Sequence, residues 1–350
     1  RAAMFDVMRF WLDRGVDGFR VDVLWHLIKD DQFRDNPPNP AWRPGMAGIE
    51  RYLEIYSTDR PEVHPLVAEM RQVIDAYPDR VLIGEIYLPI DRLVTYYGPH
   101  LDEANLPFNF QLLQAAWTAE EIGRIIHDYE QALPPGAWPN WVLSNHDRPR
   151  IAGRVGPDQA RVAAMLLLTL RGTPTIYYGD EVGLEPVPIP PDEVQDPWEK
   201  NEPGLGLGRD PSRTPMPWDM SPNAGFTSGK PWLPLNPDWK RRNAAVESAD
   251  PDSMLSLYRD LLALRRASAA LSLGDYLPVS AGDGVLVFER RAGEARMAVA
   301  LNLTHQPKAA QLPPGEPWTP ALSTAGRVAE GSVGHEIVLA PDEGLILRAG

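Results

Sequence analysis

The stretch GVDGFRVDV, residues 15–23, has the glycine, valine and phenylalanine content of a buried strand, yet Asp17, Arg20 and Asp22 place three charges in it. Side chains two residues apart in a strand lie on the same face, so Arg20 and Asp22 are predicted to point in one direction. Asp17 is assigned to the turn at the start of the strand. A core strand that delivers a cation and a carboxylate to its end raises the question of what these charges do there.

Strands of this kind alternate with helices up to residue 271. Apolar runs predict strands at 17–22, 81–87, 106–110 and 141–147, and a strand with its exit loop at 173–183. Helical spacing predicts helices at 2–14, 63–77, 118–133, 159–172 and 254–262. Near-continuous apolar strands separated by helices are expected of a parallel sheet covered on both faces. The spacing leaves two alternatives, an open doubly wound sheet and a closed (β/α) barrel.

The pattern changes from about residue 272 onward. The apolar segments 285–291 and 295–303 are joined by a short glycine-containing turn and predict a β-hairpin. A second turn is predicted at 279–285, and further short strands follow. We therefore predict an α/β domain over 1–271 and a small antiparallel β domain over 272–350. Within the first, the long proline-rich loop 185–250 is expected to be ordered, because it contains several tryptophans.

Composition excludes several classes of function. The net charge of −14 argues against nucleic acid and anionic membrane surfaces as partners, because both repel an acidic protein. No apolar run approaches the roughly 18 residues needed to span a membrane. The chain has no cysteine, which excludes disulfides, thiolate zinc sites and cysteine nucleophiles. A cysteine-free chain is compatible with the cytoplasm, the location that we expect.

Candidate catalytic residues lie at the predicted strand ends, where parallel α/β proteins place their active sites. Asp22, Glu85 and Asp147 each close a different strand, and Asp147 follows His146. Each has a structural alternative: Asp22 as a helix N-cap, Glu85 as a surface residue and His146 as a partly buried structural histidine. Three carboxylates at equivalent strand ends favour a shared site over three separate coincidences.

The motifs around these residues resemble a known enzyme family. GFRVDV (18–23), GEIY (84–87) and SNHDRPR (144–150) are similar to ordered signature regions of glycoside hydrolase family 13, the α-amylase family. GTPTIYYGDEVGL (172–184) and RDPSRTPMPWD (209–219) resemble the last-strand segment and the following loop of its α-glucosidase branch. The resemblance implies a (β/α)8 TIM-type barrel, of which strands four to eight are visible here, followed by a C-terminal antiparallel β-sandwich. It also implies a retaining glycosidase.

The resemblance implies a role for each matching residue. Asp22 would be the nucleophile that forms a covalent glucosyl intermediate, with Arg20 as the positive charge beside it. Glu85 would be the general acid and base, with a raised pKa. Asp147 would be the third carboxylate, holding sugar hydroxyls and favouring the transition state. His146 would bind the same hydroxyls, and Arg150 would orient Asp147 or contact the sugar.

The expected substrate is a short oligosaccharide or glucoside cleaved at its non-reducing end. In the α-glucosidase branch, valine after the nucleophile resembles the α-1,6-acting members, so Val23 favours α-1,6 linkages; a β-branched residue also simply suits a strand end. No cofactor is expected to be required, and no metal site is assigned. The family's first signature region is missing, so an N-terminal part with strands one to three and any calcium loop is expected to precede Arg1.

Three other interpretations compete with hydrolysis. A glucosyltransferase or glycoside isomerase would use the same residues, with a sugar instead of water attacking the intermediate. A non-catalytic relative acting as an interaction subunit is disfavoured, because such relatives typically lose catalytic carboxylates. A hydrolase with Asp22, Glu85 and His146 as metal ligands ranks last, since no HxH or HExxH spacing supports it. Oligomeric state is left open.

Overall fold

The structure, a computed structural model, describes residues 1–315, 317–326, 328 and 331–350. The remaining four positions belong to the predicted C-terminal domain and lie outside the described residues. The helices are α1 (Ala2–Leu12), α2 (Val63–Asp75), α3 (Ile90–Leu93), α4 (Gln111–Gln114), α5 (Ala119–Ala132), α6 (Ile151–Val155), α7 (Pro157–Thr169), α8 (Pro197–Asn201), α9 (Ala244–Ala249), α10 (Met254–Ala267) and α11 (Ala269–Leu273).

The strands follow the same order along the chain, the first five among the helices and the others after them. They are β1 (Gly18–Val21), β2 (Val81–Gly84), β3 (Leu106–Pro107), β4 (Asn140–Val142), β5 (Thr173–Thr175), β6 (Asp275–Gly282), β7 (Val285–Ala292), β8 (Ala295–Asn302), β9 (Lys308–Gln311), β10 (Trp318–Ser323), β11 (Glu336–Leu339) and β12 (Gly344–Ala349). Each of the five predicted strands before residue 184 is present but ends earlier than predicted.

The chain divides into two compact units. The first comprises residues 1–111 and 128–140, and the second comprises 112–127 and 141–350. The predicted boundary between 271 and 272 lies inside the second unit and stays a prediction.

The first unit is built on a parallel sheet in the order β1, β2, β3. Helix α2 packs against β2 and α1. Its buried side chains recur at helical spacing, as the sequence predicted; they are Val63, Leu66, Val67, Val73 and Ile74. Strand β1 itself is only partly buried, and Arg20 on it is exposed, so the expectation of a fully covered strand does not hold for it.

Gly18 allows β1 and β2 to lie in register. It pairs with Val81, and a Cβ atom added at Gly18 would lie 2.1 Å from the Val81 carbonyl oxygen. A side chain at Gly18 would therefore push the two strands apart. The close approach fixes the register that ends with Val21 opposite Gly84, the residues immediately before Asp22 and Glu85.

The second unit has α7 at its centre, a helix with buried residues on every side, as its apolar sequence predicted. Helix α10 packs against it, and the buried Arg265 of α10 donates hydrogen bonds to the carbonyl oxygens of Leu168, Leu170 and Gly172. These carbonyl groups lie at and beyond the end of α7, so Arg265 satisfies acceptors that the helix itself leaves free. Strand β4 pairs with β5.

A five-stranded sheet in the order β10, β12, β8, β7, β6 follows the helices, with the predicted β7–β8 hairpin inside it. All its pairings are antiparallel. A two-stranded sheet of β9 and β11 shares a core with it around the fully buried Trp318. The predicted turn at 279–285 is mostly wrong: β6 continues to Gly282, and only Asp283 and Gly284 turn the chain into β7.

The fold is thus α/β, with parallel sheets followed by a C-terminal antiparallel sheet. Within the described residues, β1–β3 and the β4–β5 pair form separate sheets, so closure into a barrel stays a prediction. The long loop 185–250 holds only short helical segments. In the described part of the chain, no helix has the length and apolar content to cross a bilayer.

Candidate active site

The first group of candidate residues lies where β1 and β2 end side by side. The backbone amide of Glu85 donates to the Val21 carbonyl at 3.0 Å, and the amide of Leu24 donates to the Glu85 carbonyl at 3.1 Å. The strand register therefore continues one residue beyond each strand. Asp22 and Glu85, which the sequence placed at neighbouring strand ends, are brought together.

Arg20 connects the two carboxyl groups. Its Nη1 forms an ion pair with Asp22 Oδ1, and its Nη2 lies 2.9 Å from Glu85 Oε2. Asp22 is also near enough to Glu85 to raise the pKa of that buried group. The positive charge that the sequence predicted beside Asp22 is present, and it serves both carboxyl groups. We call the two carboxyl groups of Asp22 and Glu85, together with the arginine that binds both, Arg20, the β1–β2 carboxyl pair.

The two carboxyl groups of this pair differ in exposure. The Glu85 side chain is 4% exposed and that of Asp22 is 72% exposed. Burial raises the pKa of Glu85, because the charged form loses hydration, and the neighbouring Asp22 raises it further. The Val23 amide and Arg20 act in the opposite direction but do not cancel the effect of burial. Glu85 therefore has the environment of a group that holds a proton at higher pH than an ordinary glutamate.

Val23 follows Asp22 in an uncommon backbone conformation. Its φ of 41° and ψ of 49° lie in the left-handed region, which β-branched residues rarely adopt. Its amide donates to Glu85 Oε2 at 2.9 Å, and its residue surface is 39% exposed. The residue predicted to read the linkage thus lies in contact with the buried carboxyl group. Whether its side chain reads a linkage stays a prediction.

A second group of candidate residues lies in the second unit, after β4. The Asp147 amide donates to Asn145 Oδ1 at 3.0 Å, which closes a tight turn after the strand. Asp147 Oδ1 accepts from Arg209 Nη1 at 3.2 Å and from Arg213 Nη2 at 3.0 Å. His146 Nε2 lies 3.2 Å from Asp147 Oδ2. Asp147 is therefore an anion held between two arginines and a histidine.

Asp196 anchors one of these arginines. Its side chain is fully buried and accepts from Arg209 Nε and Nη2, both at 2.8 Å, as well as from the amides of Arg209 and Trp198. The Arg209 guanidinium holds the pKa of Asp196 well below its usual range. The pKa of Arg209 is raised in turn by the same contact. We name His146, Asp147, Asp196, Arg209 and Arg213 the Asp147 cluster.

Arg150, three residues after Asp147, lies in the core of the second unit. It is fully buried, donates from Nη1 to the Tyr178 carbonyl, and places its guanidinium carbon 4.8 Å and 4.6 Å from the ring centroids of Tyr177 and Tyr178. Asp180 is buried beside it, and burial raises the pKa of Asp180 to about 7. The predicted roles of Arg150 toward Asp147 or the sugar stay predictions, and the observed contacts are those of a residue that supports the end of β5.

The sequence predicted no site residue in the loop that carries Asp196, Arg209 and Arg213. A signal is present in the stretch RDPSRTPMPWD, residues 209–219, which contains both arginines, four residues apart. What could not be read from spacing is that this loop returns to the end of β4. In the described part of the chain, no three histidine, aspartate or glutamate side chains are arranged to hold a metal ion.

Comparisons with known proteins show similarity along most of the chain. The sequence profile described as "Alpha amylase, catalytic domain" matches residues 1–274. The salivary alpha-glucosidase of Anopheles gambiae is 33% identical over 383 residues, covering 99% of this chain and 63% of the relative. The oligo-1,6-glucosidase of Parageobacillus thermoglucosidasius is 30% identical over 352 residues, covering 89% and 61%. The chain therefore spans about 60% of the length of these relatives.

Solved structures of similar fold cover the chain completely. The crystal structure of the alpha-glucosyl transfer enzyme XgtA aligns with a TM-score of 0.89 at 32% identity, covering 100% of this chain and 67% of the other. The chain is thus about 30% identical both to relatives named as glucosidases and to an alpha-glucosyl transfer enzyme, and it shares the fold of the latter.

Proposed function

The chain belongs to the α-amylase family, glycoside hydrolase family 13, and we propose that it is the catalytic part of a retaining α-glucosidase acting on short oligosaccharides. The observation that carries the proposal is the β1–β2 carboxyl pair: an exposed Asp22 and a buried Glu85 that are both bound by one arginine. We further propose that the parallel strands are consecutive members of a TIM barrel, which the similarity to the solved family structures supports.

The spacing of the pair supports retention of configuration. Retaining glycosidases place their carboxyl groups roughly 5 Å apart, whereas inverting enzymes keep them roughly 6.5–9.5 Å apart to admit a water molecule. Asp22 and Glu85 contact the two terminal nitrogens of the same Arg20 guanidinium, which favours the shorter of the two spacings. The exposed Asp22 carboxylate would attack the anomeric carbon, and Arg20 would hold it ionised.

Glu85 would act twice in the reaction. In the first step it gives its proton to the glycosidic oxygen as that bond breaks and Asp22 becomes covalently attached to the glucosyl group. In the second step the Glu85 carboxylate takes a proton from water, which attacks the same carbon and releases glucose and Asp22. The raised pKa of Glu85 suits the first step, because the group must begin protonated.

The Asp147 cluster has side chains suited to binding sugar hydroxyl groups. A carboxylate held by two arginines can accept hydrogen bonds from adjacent hydroxyl groups, and the half-exposed His146 can donate to them. The proposed steps use side chains alone, and we propose no cofactor for them. We retain α-1,6 linkages as the favoured substrates, supported by the resemblance of Val23 and by the similarity to an oligo-1,6-glucosidase.

Transfer to a second sugar is the alternative outcome of the same intermediate, giving a glucosyltransferase or a glycoside isomerase. The similarity to an alpha-glucosyl transfer enzyme favours keeping this alternative. It differs only in what attacks in the second step, so the products and not the residues decide between the two.

The proposal is tested with the complete protein on isomaltose, maltose and sucrose, with products separated by chromatography. Release of glucose supports the glucosidase, and new disaccharides or longer products support transfer. Neither kind of product from any of the three sugars would overturn both.

The nucleophile is tested by Asp22→Asn, with Asp17→Asn as a matched control in the same nine-residue stretch. The Asp17 side chain is 89% exposed and pairs only at the surface with Arg80 at 3.2 Å. We expect Asp22→Asn to abolish nearly all activity and Asp17→Asn to retain it. Equal activity of the two variants would refute the assignment of Asp22.

A further inference from the structure

The left-handed backbone of Val23 is held in place from both sides. The Val21 carbonyl before it accepts a hydrogen bond from the Glu85 amide, and the Leu24 amide after it donates one to the Glu85 carbonyl. The fully buried Leu24 also packs on Gly84, where an added Cβ atom would lie 2.5 Å from Leu24 Cδ2. Sparsely populated conformations persist where the surroundings over-determine them, and they cluster at functional sites. The turn between β1 and the 3₁₀ helix Leu24–His26 is such a place.

The consequence of this turn is the direction of one amide. With φ at 41° and ψ at 49°, the Val23 N–H points back at Glu85 Oε2, 2.9 Å away. Arg20 Nη2 lies at the same distance from the same oxygen. Oε2 therefore accepts two hydrogen bonds, one from the main-chain N–H of Val23 and one from the charged guanidinium of Arg20. These two contacts fix the plane of the carboxyl group.

We propose that Val23 is a positioning residue for the acid–base group: its left-handed main chain ties Glu85 Oε2, so that the transferable proton resides on Oε1. An oxygen that already accepts two N–H donors cannot also direct a proton at the glycosidic oxygen. The other oxygen of the same carboxyl group is left for that task. This inference deepens the proposed glucosidase reaction and rests on it, but the hydrogen bond itself is testable without turnover.

The role belongs to the main chain and is separate from linkage reading by the Val23 side chain. Valine gains nothing from a left-handed conformation, which glycine and asparagine adopt more easily. A side-chain role would therefore be changed by Val23→Thr and Val23→Asn. A main-chain role survives both and is removed only with the N–H group.

The first experiment follows the amide directly in the complete protein labelled with ¹⁵N-valine. The Val23 resonance is identified by its loss in Val23→Ile, and its chemical shift is followed against pH. The measurement is made in an Asp22→Asn background, because the carboxyl group of the preceding residue would itself shift the Val23 amide. We expect the amide to titrate with Glu85 and to stop titrating when Glu85→Gln is added, while the Val67 amide in α2 does not respond. A Val23 shift that ignores pH, or one that still titrates in the double variant, overturns the proposal.

The second experiment removes the N–H group alone by replacing Val23 with its α-hydroxy acid, which leaves an ester bond and the same side chain. Losing a donor to the carboxylate raises the pKa of Glu85, so the basic limb of the pH profile of kcat/KM should rise by about one pH unit. Val23→Thr should leave this limb in place. An ester protein with the wild-type limb, or a Val23→Thr variant that shifts it, contradicts the main-chain role.

The two experiments separate this proposal from the reaction on which it rests. A wild-type protein without activity on any glucoside would overturn the proposed function, and the amide titration would still decide whether Val23 ties Glu85. An active protein whose Val23 amide does not titrate would overturn the present inference alone.

Discussion

The β1–β2 carboxyl pair and the Asp147 cluster balance charge in opposite ways. In the first, one arginine serves two carboxyl groups, and burial raises the pKa of Glu85. In the second, two arginines converge on Asp147, and one of them holds the pKa of the buried Asp196 well below its usual range. The β1–β2 carboxyl pair has two carboxyl groups for one arginine, whereas the Asp147 cluster has two carboxyl groups for two arginines.

This difference indicates a division of work. A carboxyl group that resists ionisation can give and take a proton, as general acid–base catalysis requires. Carboxylates fixed by arginines stay anionic and accept hydrogen bonds from neutral hydroxyl groups. The first region has the properties of a reacting site, and the second those of a binding site. Four predictions test that division, from the largest expected effect to the smallest.

Replacing the buried acid should have the largest effect on activity. Glu85→Gln keeps the shape and removes the proton, so kcat with disaccharides should fall by about 10²–10⁴-fold, the usual contribution of a general acid. Glu103→Gln is the matched control, because Glu103 is equally buried in the same unit but pairs with His64 at 2.9 Å, away from the strand ends. Comparable losses of kcat in the two variants would show that burial, not position, explains the effect.

Breaking the anchor of Arg209 should have the largest effect on stability in the second region. Asp196→Ala leaves a partly buried arginine without its paired carboxylate and removes a helix cap, which should lower the free energy of unfolding by roughly 3 kcal/mol or more. Asp6→Ala breaks the exposed Arg9–Asp6 pair and should cost at most about 1 kcal/mol. Urea unfolding of both variants gives the comparison, and equal midpoints would contradict it.

The third prediction concerns Asp180, a buried carboxyl group beside Arg150 whose pKa is about 7 against an ordinary value of 3.8. At pH values between these two pKa values, Asp180 is protonated in the folded state and ionised in the unfolded state. Stability therefore falls as pH rises from about 4 to 7, by up to about 1.4 kcal/mol per pH unit, and levels off above. Asp180→Asn should remove this fall.

The Asp180 measurement is the difference in unfolding free energy between wild type and Asp180→Asn at pH 4, 5.5 and 7.5. The free energy of unfolding of Asp180→Asn should increase relative to that of the wild type as pH rises. A difference that stays constant, or that moves toward the wild type, would mean that Asp180 is ionised throughout this range and belongs with the fixed anions of the cluster.

The first region was largely predictable from the sequence, and the second was not. Asp22 and Glu85 directly follow apolar runs, and adjacent parallel strands bring consecutive end residues together, so spacing alone was informative. Asp196, Arg209 and Arg213 lie in a loop whose path depends on distant contacts and not on periodicity. The left-handed Val23 was also hidden, because a β-branched residue argues for an extended conformation.

The errors in the C-terminal sheet have a related cause. Strand β6 lies at the sheet edge, bonded to β7 alone, and most of its residues are exposed. An edge strand with little buried surface has no alternation of apolar and polar residues to reveal it. The β7–β8 hairpin, buried at the centre of the same sheet, was predicted correctly for the opposite reason.

The smallest effect on activity is expected from Arg213→Lys, because a second arginine of the cluster still contacts Asp147. Arg213→Lys keeps a positive charge, and Arg209 still contacts Asp147 at 3.2 Å. The variant loses one charge-assisted contact and the bond from Arg213 Nε to the His146 carbonyl, so kcat/KM should fall by about tenfold or less. Arg20→Lys has no such reserve, because the fork of Arg20 contacts Asp22 and Glu85 at once, and it should cost more. If kcat/KM measured on the same disaccharide fell equally in the two variants, the two regions would not differ in the way their charges are shared.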